Sequence, residues 1–186
     1  MNLNTLRNSV LLGTALLVTG GLLAPGVTAG TEAAMRSDSR EVSRLLKEAR
    51  SSARKLAVTS DEFHSYTRSK LSWRTHVEKA HQIRSQVNTL GATLGKLEEM
   101  KAEASPWQQE AIHSMRPMVV ELARNTEFVM EHLRGNRQPV GQAEYQDALA
   151  NKLDLASQLA ELTSDFVSYG ETKSALDELG TKLEIN

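Results

Sequence analysis

From residue 38 onward, apolar positions recur every three or four residues with polar ones between them. This is the period of an amphipathic α-helix, and no β-type alternation competes with it. The first stretch opens at Asp38, with Glu41 three residues on as a capping pair. Its apolar face is Val42, Leu45, Leu46, Ala49, Ala53, Leu56 and Phe63, and its expected end is near Arg68. An earlier break at Val58-Thr59-Ser60 is the alternative, because β-branched and capping residues meet there. The second stretch starts near Ser72, carries Trp73, Val77, Ala80, Ile83, Val87, Leu90, Leu94 and Leu97, and ends near Glu103. Ser105-Pro106-Trp107-Gln108 is the clearest start signal in the chain. Ser caps, Pro fits the first helical position and Gln108 completes the box.

The third stretch is a heptad run through Ile112, Met115, Val119, Leu122, Thr126, Val129 and Leu133, stopped by Gly135. Asn136 to Gly141, with Pro139, reads as a loop. The fourth runs from about Gln142 to Tyr169 over Tyr145, Leu149, Leu153, Ala156, Leu159, Leu162, Phe166 and Tyr169, and Gly170 is expected to interrupt it. Residues 174–186 form a tail, read as a short helix or a frayed end. Four helices of about 30 residues, each about 45 Å long, with short connections predict an all-α, antiparallel up-down four-helix bundle over 38–173.

The chain ahead of the bundle follows a different pattern. Met1 to Arg7 is a short start with one cation, Arg7, Val10 to Val18 is almost wholly apolar, and Val27-Thr28-Ala29 ends the stretch. That order describes a secretory signal peptide cleaved after Ala29, leaving 30–37 as a flexible N-terminus. An uncleaved anchor is the competing reading, since Val10 to Ala29 is uncharged and long enough to span a bilayer. No later run approaches membrane length, so the mature chain is expected to be exported and not membrane-spanning.

Composition narrows the chemistry. The 186 residues include no Cys, which excludes disulfides, thiolate zinc sites, covalently attached haem and a Cys nucleophile. The formal charge of −1 argues against nucleic acid as a partner. There is no G-x-S-x-G and no Gly-rich phosphate loop. Two Glu-x-x-His spacings, Glu78 to His81 and Glu110 to His113, match half of a di-iron motif. Antiparallel helices turning near residue 104 set them roughly 30 Å apart in height, so both are expected on solvated faces. Haem would need an axial ligand from the fourth helix, but no His follows His132. No resident cofactor is therefore expected. Pro117 falls inside the third helix and is expected only to curve it.

Two features remain as candidates for function. The up-down topology gathers His64, Tyr66, Trp73, His76, His132 and Tyr145 at one end. His64, His76 and His132 are therefore the candidate metal ligands of a small-ligand or metal carrier. The other candidate is electrostatic. Residues 36–101 hold 14 Lys and Arg against 8 Asp and Glu, and residues 102–186 hold 7 against 14. Arg36, Arg40, Arg44, Lys47 and Arg54 recur on nearly one face of the first helix. The stripe either meets the acidic hairpin within the bundle or faces an acidic polymer, lipid headgroups or a protein partner.

The stretches Leu71-Ser-Trp-Arg-Thr-His76, Ala104-Ser-Pro-Trp-Gln-Gln-Glu-Ala-Ile112 and Ser164-Asp-Phe-Val-Ser-Tyr-Gly170 resemble a group of exported bacterial all-helical proteins. The resemblance covers about residues 70–173, implies no activity and carries no functional residue over. The Leu-Thr-x-x-Gln motifs of periplasmic chaperones of the Spy type are absent. The expectation is thus an exported, non-enzymatic protein in the periplasm or secreted, with a protein or envelope partner met through its surface.

Overall fold

A computed structural model of the chain describes residues 37–69, 71–135 and 141–183. The expected leader at 1–29, the stretch 30–36 with Arg36, and the 136–140 part of the third loop with Pro139 lie outside the described residues.

Helix α1 (Arg40–Ser65) is capped by Ser39 rather than Asp38: the Ser39 Oγ accepts the Val42 N–H at 3.4 Å. The expected alternative break at Val58–Ser60 does not occur. There the Thr59 hydroxyl donates back to the Lys55 carbonyl at 2.9 Å and accepts Gln86 Nε2 at 3.0 Å, so the side chain is satisfied without interrupting the helix. A 3₁₀ turn at Tyr66–Arg68 leads to α2 (Trp73–Glu99), whose cap Ser72 accepts the Thr75 N–H. A second 3₁₀ turn, Lys101–Glu103, leads to α3 (Pro106–Gly135), with Pro at the first position as expected. Pro117 lies inside α3 on the exposed side, and the helix continues past it.

Helix α4 (Ala143–Lys182) departs most from expectation. Gly170 does not interrupt it, and the expected tail continues the same helix. The reason is steric. A Cβ on Gly170 would lie 2.5 Å from Cη2 and 2.8 Å from Cζ2 of Trp107. Glycine is the notch that lets the α3 indole close on the α4 backbone, which outweighs its helix penalty of about 1 kcal/mol.

Helices adjacent in sequence pack on each other, and α1 packs on α4 to close the ring. This is the expected four-helix bundle, and no strand occurs among the described residues. The expected faces of α1 and α3 are buried throughout. On α4 the buried stripe is Tyr145, Ala148, Leu149, Lys152, Ala156, Leu159, Thr163 and Val167. Leu153, Leu162 and Phe166 are only half-buried, and Tyr169 is exposed. No helix among the described residues is long and apolar enough to cross a membrane.

The helices are unequal in length. At 1.5 Å per residue, α1 and α2 run about 40 Å and α4 about 60 Å. Lys173 Nζ meets Asp38 Oδ2 at 3.3 Å, which places residue 173 level with the start of α1. The remainder of α4 projects beyond the bundle as an arm of about 15 Å.

Candidate binding site

The two ends of the bundle are built differently. At the end formed by the α1–α2 and α3–α4 connections, the expected aromatic gathering is present. Phe63 closes α1, Tyr66 follows it, Trp73 and His76 open α2, His132 ends α3 and Tyr145 opens α4. His76 and Tyr145 are fully buried, with His76 Nδ1 2.8 Å from the Tyr145 hydroxyl. The His132 ring stacks on Tyr145 at 5.3 Å between centroids, and Phe63 and Tyr66 meet His76 at 6.1 and 5.6 Å. Trp73 Nε1 donates to the Leu133 carbonyl at 2.9 Å, closing the end of α3.

The candidate metal site is corrected here. Among the described residues no three His, Cys, Asp or Glu are placed to hold a metal ion. His64 is half-buried and makes no hydrogen bond or ring contact with His76 or His132. The Nδ1 of His76 is used by Tyr145, and the rings around it pack as a hydrophobic layer. Topology brings these residues to one level, as expected, but aromatic packing organises them. Desolvation pushes His76 below the usual histidine range and the Tyr145 phenol above the usual tyrosine range. Both groups are therefore neutral at pH 7. The two Glu-x-x-His pairs are exposed, as expected.

The basic stripe is also largely consumed. Arg44 pairs with Glu41 (Nε to Oε2, 2.9 Å) and with Glu48 on its own helix. Lys47 reaches Glu171 of α4 at 3.2 Å, Arg50 reaches the same carboxylate at 3.7 Å, and Arg54 donates to Ser164 Oγ at 3.2 Å. On the far side Arg84 meets Glu127 at 3.1 Å. Across the α1–α4 and α2–α3 seams, Glu171 and Glu127 of the acidic half thus meet Lys47, Arg50 and Arg84 of the basic half. Arg40 stays on the exposed surface, and Arg36 lies outside the described residues.

The opposite end holds the feature that hydrophobic periodicity does not announce. A cleft of 780 Å³ opens between the first turns of α1 and the last third of α4. Leu46, Val167 and Trp107 line it as apolar surface, and Arg40, Lys47, Glu171, Lys173 and Asp177 bring charges of both signs. Its walls are pinned. Trp107 Nε1 donates to Asp38 Oδ1 at 2.7 Å, and Lys173 bridges Asp38 and Asp177 at 3.3 and 3.2 Å. These two anions raise the Lys173 ammonium above its usual range, so it stays charged.

Beside the cleft, the fully buried Gln108 ties α1 to α3. Its Oε1 accepts the N–H groups of Ser39 and Ser105, both at 3.0 Å. Its Nε2 donates to the Ser39 carbonyl and the Ser43 hydroxyl, both at 2.9 Å. All four bonds available to a primary amide are made. The expected capping box survives only as the bond to Ser105 N–H.

The sequence reading also missed a buried lysine. Lys152 is 1% exposed in the α3–α4 seam, and its Nζ donates to Thr126 Oγ1 at 3.1 Å. Desolvation pushes it down to about 7. The signal was legible: the 4-3 spacing through 145, 149, 152, 156, 159 and 163 passes through it.

No protein-family model, curated protein or solved structure matches the chain.

Proposed function

We propose that this chain is an exported, non-enzymatic binding protein that takes a short amphipathic polypeptide segment into the cleft between α1 and α4. The cleft carries the reading. Its volume of 780 Å³ falls in the range of ligand sites, and its lining joins an indole and two aliphatic side chains to charges of both signs. Such a lining suits an apolar side chain flanked by polar backbone and charges. Lipid headgroups or an acidic polymer would need a field of one sign. Here Lys47 and Lys173 are already paired with Glu171, Asp38 and Asp177. Those pairings also favour binding over catalysis, because Lys47, Lys173, Asp38, Glu171 and Asp177 are already engaged with one another. Export rests on the order of Arg7, the apolar run and Val27-Thr28-Ala29. It makes the cell envelope the place to look for the partner.

The test has two stages. A photo-crosslinking residue at Ser174, which lines the cleft, is compared with one at exposed Glu121, which does not. Adducts specific to Ser174 are expected from the native envelope fraction. The crosslinked segment is then synthesised and titrated into the Trp73→Phe variant, where Trp107 is the sole indole. A saturable change in Trp107 emission, lost in Ser43→Arg, is expected. Equal adducts from both positions, or a titration without saturation, overturn the reading.

A further inference from the structure

Charge is spread unevenly along the cleft between α1 and α4. Most of the charged side chains that line it are held by a neighbour. Lys173 holds Asp38 and Asp177, Lys47 holds Glu171, and Arg44 holds Glu41 and Glu48. Arg40 and Glu178 also line the cleft, and neither side chain forms a hydrogen bond or ion pair with another described residue. Contacts of Asp38 with Lys173 and of Arg54 with Ser164 show the two helices running antiparallel. The first of these contacts serves as a marker along the axis. At 1.5 Å per residue, Arg40 lies about 3 Å inward of it and Glu178 about 7.5 Å outward, on the arm. Leu46 and Val167 lie about 12 and 9 Å inward. From the inner end outward, the cleft therefore offers apolar surface, then a cation open to a partner, then an anion open to a partner.

We infer that the polypeptide segment taken into the cleft is extended and carries, in order from its inner end, an apolar side chain, a carboxylate and a cation, and that Arg40 and Glu178 select it. This rests on the cleft reading above and gives it a substrate class. The spacing suits an extended chain. About 7 Å separates the apolar surface from Arg40 and about 10 Å separates Arg40 from Glu178 along the axis, roughly two and three residues of a strand. The paired charges are poorer selectors. A ligand carboxylate at Lys173 competes with Asp38 and Asp177, whereas at Arg40 it gains a forked, bidentate partner without displacing one. Order is read as well as composition. Exchanging the two ligand charges sets like charges together at both positions, which is the repulsive half of specificity.

The test uses the chain starting at Gly30 in the Trp73→Phe background, with Trp107 emission as the signal. Two end-blocked hexapeptides present the order in either chain direction, Leu-Thr-Glu-Thr-Thr-Lys and Lys-Thr-Thr-Glu-Thr-Leu. Their controls exchange Glu with Lys. At least one matched peptide is expected to saturate and to bind about tenfold more tightly than its control, with the difference shrinking in high salt. Arg40→Glu combined with Glu178→Lys is expected to invert the preference. Both positions are exposed, so the fold tolerates the exchange. Absence of saturable binding by either matched peptide, equal binding of matched and exchanged peptides, or a preference that survives the double substitution overturns the proposal. Binding that appears only when the chain begins at Ser37 also overturns it, since residues 30–36 would then be the occupant. The two readings fail separately. Adducts specific to Ser174 with no charge preference among the peptides leave the cleft reading in place and overturn this one alone. Equal adducts at Ser174 and Glu121 overturn both.

Discussion

Lys152 is the residue at which this bundle departs furthest from what its core would choose. An ammonium with a single hydroxyl partner replaces an aliphatic side chain between α3 and α4. Its native value of about 7 lies below its ordinary 10.5. Between those values the unfolded chain holds a proton that the native chain does not, so stability rises with pH across that window. Below about 7 both states hold the proton, and the penalty is complete and constant. Denaturant titrations of the wild type are expected to show stability climbing from pH 7 to 9.5 by no more than roughly 1.4 kcal/mol per pH unit. Lys152→Met should lose that climb and be more stable at pH 7, on the order of 1–4 kcal/mol. Thr126 stays satisfied, because its hydroxyl donates to the Leu122 carbonyl at 2.7 Å. Lys79 and Lys173 are shifted upward, so the difference between wild type and variant is the measure. Parallel pH profiles would remove Lys152 as the cause. The residue shows where pattern reading fails. The leucines at 153 and 162 attract the eye on α4, but close helix approach favours Ala148, Ala156 and Thr163 at the seam. Spacing locates the buried face there better than hydrophobicity does.

At the scale of elements, the chain states its helices plainly. Ser72, Ser105-Pro106 and Gly135 mark starts and a stop where the structure places them, because caps are local chemistry. Gly170 misleads because its role is tertiary: it answers to Trp107, 63 residues earlier. In isolation, Gly→Ala inside a helix gains up to about 1 kcal/mol. Here the new methyl would displace the indole and break its bond to Asp38. Gly170→Ala is expected to destabilise by about 1–3 kcal/mol, with Trp107 emission shifted to the red. In a Trp107→Phe background the far ring is gone, and the same substitution should become neutral or stabilising. The sign change in this double-mutant cycle is the test. Stabilisation in the wild-type background would show that Gly170 is not a notch. The Asp38 capping expectation failed for a similar reason. Its carboxylate is claimed by Trp107 and Lys173, which leaves the cap to Ser39.

The whole molecule is closed by different chemistry at its two ends, and this makes them separable. Topology alone brought the aromatic residues together, so that end was legible as a place, while its metal chemistry was not. What decides between ligation and packing is the bond from His76 to Tyr145, made by residues 69 apart. The cleft end was not legible, because it depends on α4 outrunning its neighbours. Burial holds His76 below its ordinary 6.5. As pH falls below 6.5 the unfolded state takes the proton first, so the stability held by neutral His76 is lost on the acid side. The Gln108 clasp contains no titratable group, and its four bonds do not depend on pH in this range. Amide exchange, corrected for intrinsic rates, is therefore expected to rise around residues 73–77 and 145–149 between pH 7.5 and 5.5, with little change around 39–43 and 105–109. Gln108→Leu should do the reverse at fixed pH. It strands the Ser39 and Ser105 N–H groups, each worth about 1–3 kcal/mol, and opens the cleft end while the aromatic end stays protected. Equal loss of protection at both ends in both experiments would mean that the bundle opens only as one unit. The cleft could not then be adjusted independently of the aromatic end.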